Sequence, residues 1–153
     1  LIQNFLRSVE LFSDLDDDEL AHVLMAGMIK RYRAGTPIVT EGAANASLYV
    51  IRDGQVRLSK QVPGVGEEAI TILGPGEIFG EMEFFDETPP SIHAIAHAEC
   101  DVLAVPHGEI HGMMKTNPTL AWKVLWALGR TLARRVREGH QRMASLFAIS
   151  REF

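Results

Sequence analysis

Residues 79–96 read FGEMEFFDETPPSIHAIA: a Phe-Gly-Glu corner, a short apolar run, a proline pair and a brief β-like alternation. Gly80 lets the backbone approach a ligand closely and adopt conformations a side chain would forbid. The amides after it are expected to open a short helix over about residues 81–85, whose N-terminus favours an anion. Yet the stretch carries Glu81, Glu83, Asp86 and Glu87 and no Lys or Arg. From Gln61 to Met114 there are ten Asp and Glu and no Lys or Arg at all. An anion held at this corner needs positive charge from elsewhere in the chain.

Upstream, short β-like runs each end in a glycine turn: PIVTEG (37–42), SLYVIRDG (47–54), QVRLSKQVPG (55–64) and EEAITILGPG (67–76). Val56 and Leu58 alternate with Arg57 and Ser59, as on a half-buried strand. SIHAIA (91–96) and DVLAV (101–105) add more strand. This spacing predicts a sandwich or jelly roll rather than parallel βαβ units. Helical patterns flank it. Leu20, Val23, Leu24 and Met28 form one stripe, with Asp16 as N-cap and Glu19 completing a capping box; a shorter helix over residues 2–10 precedes it.

After residue 118, Leu125, Leu128, Leu132, Val136, Met143 and Leu146 recur at helical spacing without an interrupting proline. A helix of about 45 Å overhangs a small domain and needs a partner for its stripe. A second copy of the chain is the simplest partner, paired through residues 119–149.

The 153 residues suit one domain, with 46% apolar and 23% charged residues. A net charge of −5 argues against a nucleic-acid-binding face. Cys100 has no intrachain partner for a disulfide, and no signal peptide or apolar run of about 18 residues is evident. Cytoplasmic placement without membrane contact is expected.

In order, LRSVELFSDLDDDEL (6–20), YRAGTPIVTEGAANASLYVIRDGQVRLSK (32–60, with Gly35, Gly42 and Gly54 at turns) and LGPGEIFGEMEFFDETPPS (73–91) resemble the cyclic nucleotide-binding domain family over nearly the whole chain. The resemblance implies a mainly β fold with flanking helices: an antiparallel β-roll (double-stranded β-helix or jelly roll), N-terminal helices and a long C-terminal helix. It divides one domain, 1–153, into N-terminal helices (1–29), a β-roll (30–106) with a phosphate-binding cassette (79–92), and C-terminal helices (107–150). It implies a regulatory module in which occupancy by cAMP or cGMP moves the last helix. Ligand contacts are expected from Phe79, Gly80, Glu81, Met82, Pro90, Ser91 and Ile92, with Glu81 accepting from a ribose hydroxyl, and from His140 near the purine. Phe147 and Phe153 are expected to make helix-end hydrophobic contacts rather than cap a base.

One departure matters. Aligned without gaps, Pro89 meets the family's proline, Pro90 stands where the family has arginine, and Ser91 takes the small position. No other side chain matches a guanidinium's paired hydrogen bonds to a phosphate, and proline offers neither charge nor N–H. Three outcomes stay open. The pocket binds a cyclic nucleotide weakly or with a replacement cation; it takes another small ligand; or it is degenerate and the domain dimerises or binds an unknown protein partner. Replacement cations can come from the early strands, Arg52 and Arg57 among them, from Arg130, Arg134, Arg135, Arg137 and Arg142 of the long helix, or from a second protomer. His93, two residues past Ser91, would share its face by alternation.

His107 and His111 stand at i, i+4 with Glu109 between them, but no further ordered ligand accompanies them, so no metal is expected. No nucleophile–base, Walker or dinucleotide motif is visible, and no enzyme activity is expected. The chain stops short of the roughly 60–80 residues a following DNA-reading module would need, so no nucleic-acid partner is expected for it. It is read as a stand-alone or excised domain.

Overall fold

The computed structural model describes residues 1–152. Two short helices open the chain: α1 (Ile2–Ser8) and, after a 3₁₀ turn at Glu10–Phe12, α2 (Asp17–Ala26). The capping box at the start of α2 is fully formed. Asp16 Oδ1 accepts from the Glu19 amide at 2.9 Å, and Glu19 Oε1 accepts from the Asp16 amide at 2.9 Å. Gly27 then takes an extended conformation and ends the helix, its N–H still bonded to the Val23 and Leu24 carbonyls. Met28, expected on the stripe of α2, therefore belongs to β1 and is exposed.

Eight strands follow: β1 (Met28–Tyr32), β2 (Pro37–Val39), β3 (Ser47–Asp53), β4 (Val56–Val62), β5 (Gly66–Leu73), β6 (Ile78–Phe79), β7 (His93–Ala96) and β8 (Cys100–Pro106). Helix α3 (Met82–Phe85) sits between β6 and β7; α4 (His107–Thr116) and α5 (Pro118–Ser150) close the described chain. The strands form two antiparallel four-stranded sheets, ordered β1-β8-β3-β6 and β2-β7-β4-β5. The turns at Gly35, Gly42 and Gly54 all hold positive φ, between 80° and 85°.

The inner strands of the first sheet, β3 and β8, are buried on both faces, which explains their apolar runs. On β3, Leu48 and Val50 point to the helices, while Tyr49 and Ile51 point between the sheets. On β8, Leu103 and Val105 do the former, Val102 and Ala104 the latter. The helical core adds Leu6, Phe12, Leu20, Val124 and Leu128. Helix α5 thus buries one face near its start and carries its outer stripe, Leu125, Val136, Met143 and Leu146, exposed.

Two side chains anchor α5 to the N-terminal helices: Lys123 Nζ donates to Glu19 Oε1 and Arg134 Nη1 to Glu10 Oε2, both at 2.6 Å. Further along, Arg142 Nη2 reaches Thr71 Oγ1 on β5 at 3.2 Å. No helix among the described residues is long and apolar enough to cross a membrane.

Candidate functional site

Residues from both sheets converge on an open cleft lined by β2 (Val39), β4 (Leu58), β6 (Phe79), residues 80–83, residues 90–92 and Ala94 of β7. Seven of the eight expected contact residues, Phe79, Gly80, Glu81, Met82, Pro90, Ser91 and Ile92, meet here. His140 does not: it is exposed on α5 and lines no part of this cleft.

Several local contacts shape the corner. Phe79 stacks on Tyr49, ring centroids 4.7 Å apart and nearly coplanar. Gly80 holds φ at +80° with its backbone against the Ser47 carbonyl. Helix α3 is a single turn after Glu81. The buried Pro90 is held from behind, its carbonyl accepting from the Gly42 amide at 2.9 Å.

Two histidines of α4 hold α3 from its other side. His107 Nε2 meets the Gly80 carbonyl at 2.9 Å, and His111 Nε2 meets the Phe84 carbonyl at 3.1 Å. A carbonyl only accepts, so both rings carry their proton on Nε2. Burial holds the His107 pKa below its usual value, against the opposing pull of the Gly80 carbonyl and Glu83. The i, i+4 pair thus serves the cassette backbone, and no cluster of metal-ligating side chains occurs among the described residues.

Charge at the cleft is arranged around Glu81, which is buried. Its Oε1 accepts from Arg135 Nη1 of α5 at 2.6 Å, and Arg135 Nη2 also donates to the Ile78 carbonyl. One guanidinium therefore ties the long helix both to the cassette carboxylate and to the strand before it. A sequence can nominate Arg135 only as one of several helix cations, because its partner lies 54 residues away.

The nominated strand cations are directed elsewhere. Arg57 pairs with Glu67 through two bonds of 2.7 and 3.0 Å. Arg52 lies towards Asp101, where its charge helps hold that carboxyl below the usual range, after the larger effects of Arg31. Lys60, which the sequence did not single out, lies at the cleft's edge. Its Nζ donates to Glu41 Oε1 at 2.6 Å and to the Ser91 carbonyl at 2.7 Å.

His93 is turned away from the cleft. It sits opposite Ser59 across the β4–β7 ladder, on the face opposite to Leu58 and Ala94, and its Nδ1 accepts from the Glu41 amide at 3.1 Å. The alternation argument fails because Ser91 precedes the strand, which begins at His93.

The sequence model of the cyclic nucleotide-binding domain matches residues 29–117. The chain is 32% identical over 133 residues to the cyclic AMP receptor protein of Thermus thermophilus, covering 87% of this chain and 60% of the relative. It is 29% identical over 145 residues to a CRP-like cAMP-activated global transcriptional regulator of Mycobacterium tuberculosis, covering 95% of this chain and 63% of the relative. A cyclic nucleotide-binding domain from Methylobacillus flagellatus superposes with a TM-score of 0.81 at 27% identity, covering 92% of this chain and 79% of that one. The chain therefore spans 60 to 63% of the length of these two curated relatives.

Proposed function

Because the chain belongs to the cyclic nucleotide-binding domain family, we propose that it is a regulatory sensing module whose cleft takes cAMP or cGMP and whose occupancy moves α5. The observation that carries this is the bond between Glu81 and Arg135. In the proposal Glu81 accepts from a ribose hydroxyl, as the family resemblance implies, and that acceptor already holds the long helix. A ribose drawing on Glu81 competes with Arg135 and so changes how firmly α5 is tied to the cassette. Occupancy and helix position are then linked through the ligand's different affinity for the two helix positions.

The proposed contacts are Phe79, Gly80, Met82, Ser91 and Ile92 around the ligand, with Pro90 at the position the family gives to arginine. His140 lies five residues beyond Arg135 on α5, about 7.5 Å along the axis and about 140° round it, so it meets the base only if α5 turns as well as shifts. The role is regulatory, cytoplasmic and served by a homodimer; no reaction is assigned to the cleft. The expectation of no nucleic-acid partner is a proposal for these residues alone, since the curated relatives it matches are longer.

A second reading has support of its own: no Lys or Arg lines the cleft, and Glu81 already has a cationic partner. The cleft would then be degenerate and the domain a dimerisation or protein-interaction module, or a site for another small ligand.

Calorimetry with cAMP and cGMP on the wild type and Pro90→Arg decides between them. The proposal expects measurable wild-type binding, tightened by Pro90→Arg roughly 30-fold or more, the scale of a restored charge-assisted contact. Heat-silent titrations for both proteins would leave the degenerate cleft as the answer.

A further inference from the structure

The cleft lining contains two carboxylates, Glu81 and Glu83, and no Lys or Arg, so an anionic ligand must find its counter-charge at the rim. Arg135 is committed to Glu81 and Ile78, and Arg57 to Glu67. Lys60 stands apart from both. It lies two residues beyond Leu58, a lining residue, and on the same side of β4 by strand alternation. Its ammonium reaches across to the carbonyl of Ser91, the exposed cleft residue next to Pro90.

An ammonium has three donors. The described residues take two of them, Glu41 Oε1 and the Ser91 carbonyl. The Lys60 side chain remains 45% exposed, so a ligand can reach the third. We infer that Lys60 is the phosphate-reading cation of this cleft, binding a phosphodiester ligand beside Ser91, with Glu41 as the resident carboxylate that tempers its charge. This rests on the cleft taking a phosphate-bearing ligand, as proposed above, and names the residue that makes such binding feasible without a cassette arginine.

The chemistry differs from that of an arginine. Lys60 offers a point charge on a flexible stem rather than a planar fork, so it attracts a phosphate without fixing its orientation. Glu41 stands beside the same ammonium and opposes any incoming anion, which gives the pair a signature that a merely structural strap lacks. Removing the cation weakens ligand binding, whereas removing the carboxylate strengthens it.

The test is calorimetry with cAMP on the wild type, Lys60→Gln, Lys60→Arg, Glu41→Gln and Pro90→Arg, and on Lys60→Gln combined with Pro90→Arg, each checked for folding by circular dichroism. Lys60→Gln is expected to weaken binding by about tenfold, the loss of a charge-assisted contact, with Lys60→Arg retaining affinity. Glu41→Gln is expected to tighten binding by about two- to fivefold, the scale of an exposed charge interaction. The double variant reads the Lys60 effect where affinity is higher.

Equal affinity with and without Lys60, or weakening by Glu41→Gln as well, overturns the assignment of Lys60. So does binding by Pro90→Arg alone with no effect of Lys60 in the double variant; the cleft then remains a nucleotide site without Lys60 as its cation. Absence of binding in every variant overturns both.

Discussion

At Gly80, a Cβ built on the backbone would lie 2.5 Å from the Ser47 carbonyl oxygen and 3.0 Å from the Asn45 amide nitrogen. The positive φ adds its own penalty for any L side chain, about 1–2 kcal/mol. Neither neighbour yields easily, because Asn45 bridges the Ser47 carbonyl and Glu83 Oε1, both at 3.0 Å. Gly80→Ala should therefore cost about 2 kcal/mol or more, lowering the melting temperature by roughly 5 °C or more. A thermal melt within 1 °C of wild type would show that the corner relaxes more freely than this packing allows. Glu81, its neighbour, illustrates a different dependence: local sequence marks it as a polar group at a turn, but its partner comes from α5.

The β6–α3 corner is held from behind by α4, and His107 carries the pH dependence of that grip. Burial is the main reason its pKa falls below the usual imidazole value; Glu83 and the Gly80 carbonyl oppose the shift, and His111 adds to it. The folded protein thus favours the neutral ring, whereas the unfolded chain takes up a proton near pH 6.5. His107's contribution to stability is fully present above about pH 6.5 and is lost as the pH falls towards and through the lower folded value. Melting temperatures should drop between pH 7.5 and pH 5, and the drop should be smaller in His107→Gln, whose neutral amide can still donate to the carbonyl. An equal drop in both proteins would assign the acid sensitivity to the carboxylates instead. The sequence showed the i, i+4 pair but not its use, since the carbonyls of Gly80 and Phe84 are reached only when α4 packs behind α3.

For the whole molecule, the long helix poses the remaining question. The inner face of α5 is covered by its own chain through Leu120, Val124, Ala127, Leu128 and Thr131. Trp122, Leu125, Val136, Met143 and Leu146 remain exposed and fall on a register stepping by three and four residues, as in a helix–helix seam, whose other positions are Leu132 and two glycines, Gly129 and Gly139. Trp122 and Trp126 stack at 5.6 Å near the same end. A dimer is therefore expected by light scattering at micromolar concentration. Val136→Glu should convert it to a monomer, since it places a charge in the middle of an apolar seam with no partner. A monomeric wild type would remove the seam as an explanation for the exposed stripe.

Residues close in the chain determined much of this protein on their own. The capping box at Asp16 and Glu19, the glycine turns, the alternation of β4 and the Phe-Gly-Glu corner act over a few residues, so their physics is legible as spacing. Gathering Phe79 to Met82 with Pro90 to Ile92 was legible too, as one continuous cassette. Charge pairing was decided by the tertiary structure. Arg135 meets Glu81 across 54 residues and Lys60 meets the Ser91 carbonyl across 31, while Arg57, an equally plausible cation by sequence, is tied to Glu67. A long basic side chain can choose among many acceptors, and only the packing of α5 and β4 around the cleft brings one of them within hydrogen-bonding reach.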